Sequence, residues 1–189
     1  MSRTPRRIFD IDGHLHFVTF SCYHRLPLLS RDRCKQIVLG HLNLWSGRDG
    51  VGVVGYVVMP NHVHALLRPI SSGRISIFMQ HWKQESSSAI AKFLGLGTDH
   101  DTTPFGERVR DASGTLRVWQ SRSYCFNVFS LKKVTEKLQY MHNNPVRKGL
   151  VEDSCDWPWS SAAFYLQRDK SPIRLVPYDG PFPEWLACR

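Results

Sequence analysis

The sequence of 189 residues lacks the marks of several protein classes. It has no apolar run long enough to span a bilayer, and no apolar segment of signal-peptide type follows its basic first residues. Its five cysteines are odd in number and never form a Cys-x-x-Cys pair, which argues against a disulfide framework or a zinc ribbon. We therefore expect a cytoplasmic protein with reduced thiols and no membrane association.

Acidic residues are also few relative to basic ones. The chain has 25 Lys and Arg against 16 Asp and Glu, so its formal net charge is +9. Such an excess suits a polyanionic partner such as nucleic acid, although a merely basic surface is the alternative. The sequence has no internal repeat or low-complexity tract, and its length suits one well-packed domain.

The apolar pattern predicts an α+β fold. Strands are expected at 14–22, 51–59, 62–68 and 115–120, with helices at 31–45, 75–94 and 131–143. Ser30 and Ser130 are the expected helix caps, a turn is expected at 47–50, and Pro60-Asn61 is a tight connection. The order β-α-β-β-α-β followed by a helix matches the ferredoxin-like split βαβ arrangement with a central antiparallel sheet.

The chain is expected to divide into three parts. Residues 1–12 form a basic arm, 13–151 form the domain, and 152–189 form an extension packed on it. Within the domain, 95–114 is rich in Gly, Asp, Thr and Pro and is predicted to be a long flexible loop.

His62-Val63-His64 is the motif with the clearest chemical meaning. On a strand, residues two apart leave the same face, so the imidazoles of His62 and His64 would lie side by side. Two parallel histidines provide part of a divalent metal site, which needs at least one further oxygen or nitrogen ligand. Alone, the pair is more often two ordinary half-exposed histidines.

Tyr140 and Asn144 are the candidates for a nucleophile and for the further metal ligand. They are four residues apart on the last predicted helix, so the phenol and the amide would share one face. Asn144 can offer a carbonyl oxygen to a divalent ion, and Tyr140 can act as a nucleophile beside it. Tyr124 is a rival nucleophile. It precedes the helix and has no Asn or Gln side chain four residues after it on the same helical face, so we favour a DNA contact or a core position for it.

The joint pattern resembles the single-tyrosine HUH transposases of the IS200-like superfamily, most closely the REP-associated tyrosine transposase branch. The resemblance covers roughly residues 14–165 and rests on four motifs: Tyr56-Val-Val-Met-Pro-Asn-His-Val-His64, Trp119-Gln120, Tyr140-Met-His-Asn-Asn-Pro-Val-Arg-Lys-Gly-Leu-Val151 and Asp156-Trp-Pro-Trp-Ser-Ser161. It implies that the helix after the sheet carries the nucleophile Tyr140, and that His62, His64 and Asn144 hold Mg²⁺ or Mn²⁺.

The resemblance also implies an activity. A site-specific nickase and strand transferase would cleave single-stranded or hairpin DNA of palindromic repeat elements, join Tyr140 to the 5′ phosphate and leave a 3′ hydroxyl. The protein would be a monomer or homodimer and associate with the nucleoid when bound to DNA. Two alternatives stay open: a domesticated nucleic-acid-binding module without turnover, and a metallohydrolase that uses activated water.

Basic side chains near these motifs are candidate DNA contacts. Phosphate contacts supply most of the affinity of a protein for DNA, and base contacts supply specificity. The candidates are Arg3, Arg6 and Arg7 in the basic arm, Arg117 and Arg122 near Trp119, and Arg147 and Lys148 after the last helix. For each group, a solvated surface or a disordered tail is the alternative.

Overall fold

The computed structural model describes residues 14–99, 101, 103–167 and 169–176. The predicted basic arm at 1–12, with Arg3, Arg6 and Arg7, lies outside the described residues. The strands are β1 (Leu15–Ser21), β2 (Val51–Met59), β3 (His62–Pro69) and β4 (Tyr124–Val128). The helices are α1 (Asp32–Asp49), α2 (Arg74–Leu94), α3 (Leu131–His142), α4 (Asn144–Arg147) and α5 (Ala162–Leu166).

The four strands form one antiparallel sheet in the order β2-β3-β1-β4. The two residues Pro60 and Asn61 join β2 to β3, so that Met59 pairs with His62. Strand β1 lies between β3 and β4 and pairs with both. The predicted ferredoxin-like α+β fold is therefore confirmed, including the additional helix after the last strand.

The two faces of the sheet are covered by different helices. Helices α1 and α2 pack against each other and against the face that carries Phe20, where the larger apolar core contains Trp82 and Phe78. Helix α3 packs on the opposite face, where a smaller core contains Phe17 and Leu138. Because His62 and His64 alternate with the buried Val63, they lie on the face that α3 covers.

The predicted strand at 115–120 is wrong. Leu116 and Trp119 form only isolated bridges, and the fourth strand begins at Tyr124. The backbone of this segment pairs with two different segments, because the Arg117 amide donates to the Val109 carbonyl and the Gln120 amide donates to the Ser21 carbonyl, so no continuous ladder forms. This segment crosses the end of β1, where Trp119 pairs with Cys22.

The first helix also differs from its prediction. It continues to Asp49, so the expected turn at 47–50 is absent, and Gly50 ends the helix in the left-handed conformation at φ 67°. The Ser30 hydroxyl donates to the Pro27 carbonyl and does not cap the helix. Ser130, in contrast, caps α3 as predicted, because its hydroxyl accepts from the Lys133 amide.

The segments outside the main elements are anchored by specific contacts. Within 95–114, residues Gly106–Val109 form a 3₁₀ turn whose Val109 is buried. In the extension, the Trp157 indole donates to the Val58 carbonyl, and the Val58 amide donates to the Trp159 carbonyl. Helices of the described residues include none that is both long and apolar enough to cross a lipid bilayer.

The prediction of reduced thiols holds for only part of the chain. Cys22, Cys34 and Cys125 are free. Cys155 is bonded in a disulfide, so the prediction is wrong for this residue. Cys188 lies outside the described residues.

Candidate active site

Two histidines of β3 form one wall of a cavity of about 460 Å³. The rings of His62 and His64 have centroids 4.7 Å apart. The His62 Nδ1 lies 2.7 Å from the Asn61 side-chain oxygen, and the His64 Nδ1 lies 2.7 Å from the Thr19 hydroxyl. The Asn61 oxygen only accepts, so it places the proton of His62 on Nδ1 and leaves the Nε2 lone pair for a metal ion. The Thr19 hydroxyl can accept from the His64 Nδ1, which is compatible with the same tautomer.

Both histidines are neutral at neutral pH. Burial, together with the nearby positive charges of Arg25 and Lys148, lowers the pKa of His62 to about 4. Burial, together with smaller contributions from His62 and Lys137, lowers the pKa of His64 to about 3. Neutral imidazole is the form that binds a metal ion, so the two rings are ready to act as ligands.

Tyr140 and Asn144 lie on the opposite wall of the same cavity. The Tyr140 ring stands edge-on to His64 at a centroid distance of 5.3 Å, and 43% of the residue is exposed. Asn144 is buried at the first position of α4, after Asn143 continues the helical backbone beyond α3. Pro145 follows it directly, so the short helix that carries Asn144 begins where α3 ends.

The donor atoms of this cavity fit a divalent ion. The His64 Nε2 and the Asn144 Nδ2 are buried without a hydrogen-bond partner, which is costly unless a ligand satisfies them. Because the amide oxygen and nitrogen of asparagine exchange by a rotation of the side chain, Asn144 can present an oxygen there. No three His, Cys, Asp or Glu side chains cluster as a metal site in the described part of the chain. Asn144 lines the cavity with the histidine pair, and an amide oxygen is a ligand that divalent ions such as Mg²⁺ accept.

The rest of the cavity is positively charged. Arg25, Lys137 and Lys148 line it, and no Asp or Glu side chain is among its described lining residues. The Arg147 guanidinium lies 5.9 Å from the centroid of the Tyr140 ring. A polyanion with accessible phosphates is the class of ligand that this charge favours.

The other predicted DNA contacts lie elsewhere. Arg117 lies in a second groove of about 520 Å³ between α2 and residues 116–123, where its guanidinium pairs with Asp111 at 2.8 Å. Arg122 is exposed in the segment before β4. Tyr124, the rival nucleophile, lines the histidine cavity from β4. Its position there fits a contact with a ligand and does not fit a core residue, since 40% of it is exposed.

Several residues of the site were not identified from the sequence. Thr19 lies opposite His64 in the β1-β3 register, and only the strand pairing reveals that it orients this ring. Asn61 contacts His62 and also donates from its amide to the Arg25 carbonyl at 3.2 Å. Arg25 has a left-handed backbone with φ 57°, a strained conformation that often occurs at functional sites.

The fold and the cavity together define a ferredoxin-like domain with a histidine pair and a tyrosine on facing walls. Residues 11–97 match the family model described as "Transposase IS200 like".

Two individual proteins are also similar to this chain. The chain is 26% identical over 109 residues to a "Putative REP-associated tyrosine transposase" of Haemophilus influenzae. That match covers 57% of this chain and 57% of the relative's own length. The fold is similar to that of a REP-associated tyrosine transposase solved with a REP hairpin, with a TM-score of 0.64 and 19% sequence identity, over 99% of this chain and 98% of the other.

Proposed function

We propose that the protein is a metal-dependent nuclease and strand transferase that acts on single-stranded or hairpin DNA through a 5′-phosphotyrosine intermediate. The observation that carries this proposal is the meeting of His62, His64, Tyr140 and Asn144 at one basic cavity. A binding module without turnover has no need of a nucleophile beside two neutral, oriented imidazoles.

Tyr140 supplies the nucleophile. Its phenol oxygen attacks the scissile phosphorus, the new bond forms between phosphorus and this oxygen, and the bond to the 3′ oxygen breaks. The phenol proton passes to solvent, and the departing 3′ oxygen takes a proton from solvent to become a hydroxyl. The energy of the phosphodiester is kept in the phosphotyrosine, so a second 3′ hydroxyl can reverse the step and join two strands.

His62, His64 and Asn144 would hold the divalent ion, Mg²⁺ or Mn²⁺. Such an ion supplies Lewis acidity, which polarises the scissile phosphate and neutralises part of its charge. Asn61 and Thr19 keep the two rings in the required orientation. Arg25 and Lys148 line the same cavity, where they can bind the neighbouring phosphates.

The proposed substrate is a palindromic repeat element that folds as a hairpin. One similar structure is of a REP-associated transposase bound to a REP hairpin. The net charge of +9 supports a DNA partner of this kind, because phosphate contacts provide most of the affinity. Arg147, Lys148, Arg117 and Arg122 remain candidate contacts to the DNA backbone, within the cytoplasm and on the nucleoid.

Formation of a covalent adduct tests the proposal. Labelled hairpin-bearing single strands, incubated with the protein and Mg²⁺ or Mn²⁺, should give a protein–DNA species that survives denaturation. The adduct should require the metal, and a chelator should prevent it.

Two tyrosine variants form a matched pair, because both phenols line the cavity. Tyr140→Phe should abolish the adduct, whereas Tyr124→Phe should keep it. Cleavage that persists in Tyr140→Phe without any covalent species would support a metallohydrolase that uses water. Binding without cleavage in the wild-type protein would support a binding module.

A further inference from the structure

Lys137 differs from the other partly buried lysines of the molecule. The ammonium of Lys35 donates to the Ser30 carbonyl and pairs with Asp32, and the ammonium of Lys83 donates to three oxygens between residues 120 and 123. On α3 itself, Lys133 pairs with Glu136. Each of these charges is therefore satisfied by oxygen atoms of the protein.

The Lys137 ammonium is surrounded by aromatic rings instead. It lies 4.8 Å from the ring centroid of Phe17 on β1 and 4.9 Å from that of Phe126 on β4. It also lies 6.0 Å from the centroid of Tyr140, one helical turn further along α3. Within the described part of the chain, it makes no hydrogen bond or ion pair. The rings hold the cation by cation–π attraction without neutralising it.

This arrangement leaves the charge available to a ligand. Lys137 lines the same cavity as Tyr140, and no described lining residue is a carboxylate that could compete for the ammonium. Partial burial lowers the pKa of Lys137, which reflects loss of solvent around the ammonium. A phosphate in the cavity would supply the missing negative partner, and the interaction would be strong because the site is partly shielded from water.

We propose that Lys137 is a catalytic residue that contacts a non-bridging oxygen of the scissile phosphate during attack by Tyr140. This inference rests on the proposed phosphotyrosine function and adds a residue to it. Lys137 stays protonated throughout and forms no covalent bond. Its charge stabilises the additional negative charge that the two equatorial oxygens carry in the transition state.

The alternative is that Lys137 only fastens α3 to the sheet. That role predicts a loss of stability and no specific effect on the chemical step. Lys137→Gln removes the charge, and its effects on melting temperature and on the chemical step can be measured separately. Lys137→Arg is the conservative variant, because arginine keeps the charge and the aromatic contacts. Lys133→Gln is the matched control, since Lys133 lies one turn earlier on the same helix and is exposed.

The experiment compares single-turnover adduct formation with hairpin binding in these variants. Binding is measured with Tyr140→Phe in the background, so that no cleavage occurs. Lys137→Gln should slow adduct formation roughly 100-fold, the usual effect of removing one group that stabilises a transition-state oxyanion. Its hairpin affinity should fall less than about threefold, because the remaining phosphate contacts persist. Lys137→Arg should restore most of the rate, and Lys133→Gln should match wild type.

A modified substrate adds a readout that a structural role would not affect. A methylphosphonate at the scissile position replaces one charged non-bridging oxygen with a methyl group. If Lys137 contacts that charge, the rate ratio between wild type and Lys137→Gln should shrink markedly on this strand, as in a double-mutant cycle. An unchanged ratio would overturn the proposal.

Failure of the inference is distinguishable from failure of the proposed function. If wild type forms no adduct on any hairpin strand, the proposed function fails and the role of Lys137 fails with it. If wild type forms the adduct and Lys137→Gln forms it at the same rate, only the role of Lys137 fails. A slow Lys137→Gln with a lower melting temperature and an unchanged rate ratio on the methylphosphonate strand would indicate the structural role instead.

Discussion

The two faces of the sheet differ in how completely they are buried. On the face covered by α1 and α2, Phe20 lies edge-on to Trp82 and Trp119 at centroid distances of 4.8 Å, and all three are buried. On the face covered by α3, the smaller core leaves part of the sheet open, where the His62 and His64 rings line a cavity. One face is closed by apolar packing, and the other is left open beside polar groups.

This difference indicates how one sheet can serve both stability and chemistry. Burying large aromatic side chains supplies most of the favourable free energy of folding, and the α1–α2 face contains most of them. The α3 face retains unpaired buried polar atoms, such as the His64 Nε2, which lower stability unless a ligand binds. We therefore expect substitutions on the two faces to affect different measurements.

The largest expected effect is the loss of cleavage in His64→Ala. This variant should form no detectable adduct with hairpin DNA and Mg²⁺ or Mn²⁺, because the site loses one of its two imidazole ligands. Binding of the hairpin should largely remain, since the basic lining is unchanged. Adduct formation and binding are measured on the same labelled strand.

His81→Ala is the matched control for that experiment. His81 lies on α2, away from the cavity, where its Nδ1 pairs with Asp49 at 2.9 Å. It should keep full cleavage activity. Equal loss of cleavage in both variants would show that the two faces are not functionally separate.

Trp82→Ala should lower stability and leave the cleavage rate of the folded protein unchanged, in contrast to His64→Ala. Trp82 is fully buried, and its indole donates to the Val38 carbonyl at 2.9 Å. Removal of a buried aromatic side chain should lower the free energy of unfolding by about 3–5 kcal/mol. Urea denaturation measures this loss, and the half-buried Trp45→Ala should lose less. The folded fraction should still form the adduct at low temperature. A loss of cleavage rate in this folded fraction would contradict the division between a stabilising α1–α2 face and a catalytic α3 face.

The sequence predicted the α1–α2 face and the histidine motif well, because both depend on local periodicity. The alternation of His62, Val63 and His64 placed the two imidazoles on one face, and the β-branched run at 51–59 became β2. Tyr140 and Asn144 line one cavity, as their helical spacing suggested.

Features that depend on strand pairing could not be predicted in this way. The pattern at 115–120 resembles a strand, but its backbone partners are spread over the end of β1, where Trp119 meets Cys22 and the Val118 carbonyl accepts from the Tyr23 amide. Likewise, Thr19 contacts His64 only because β1 pairs with β3 in one register. The sequence of neither segment indicates which part of the chain it will pair with.

Thr19→Val tests this register-dependent contact and should have a moderate effect. Valine has a similar shape but removes the hydroxyl that lies 2.7 Å from the His64 Nδ1. Loss of a group that orients a metal ligand typically reduces metal affinity or activity roughly 10- to 100-fold. The concentration of Mn²⁺ needed for half-maximal adduct formation should rise accordingly. Thr19→Ser should stay close to wild type, and an unchanged metal requirement in Thr19→Val would show that Thr19 does not orient the ring.

The smallest expected effect comes from Ser130→Ala at the start of α3, the helix that carries Tyr140. The Ser130 hydroxyl accepts from the Lys133 amide, and loss of such a cap lowers the free energy of unfolding by about 1 kcal/mol. Ser130→Asp should retain the cap and most of the stability. Because the cap is more than two turns from Tyr140, the adduct should form at the wild-type rate in the folded protein. A slower rate in Ser130→Ala, restored in Ser130→Asp, would show that the α3 face depends on helix rigidity as well as on its side chains.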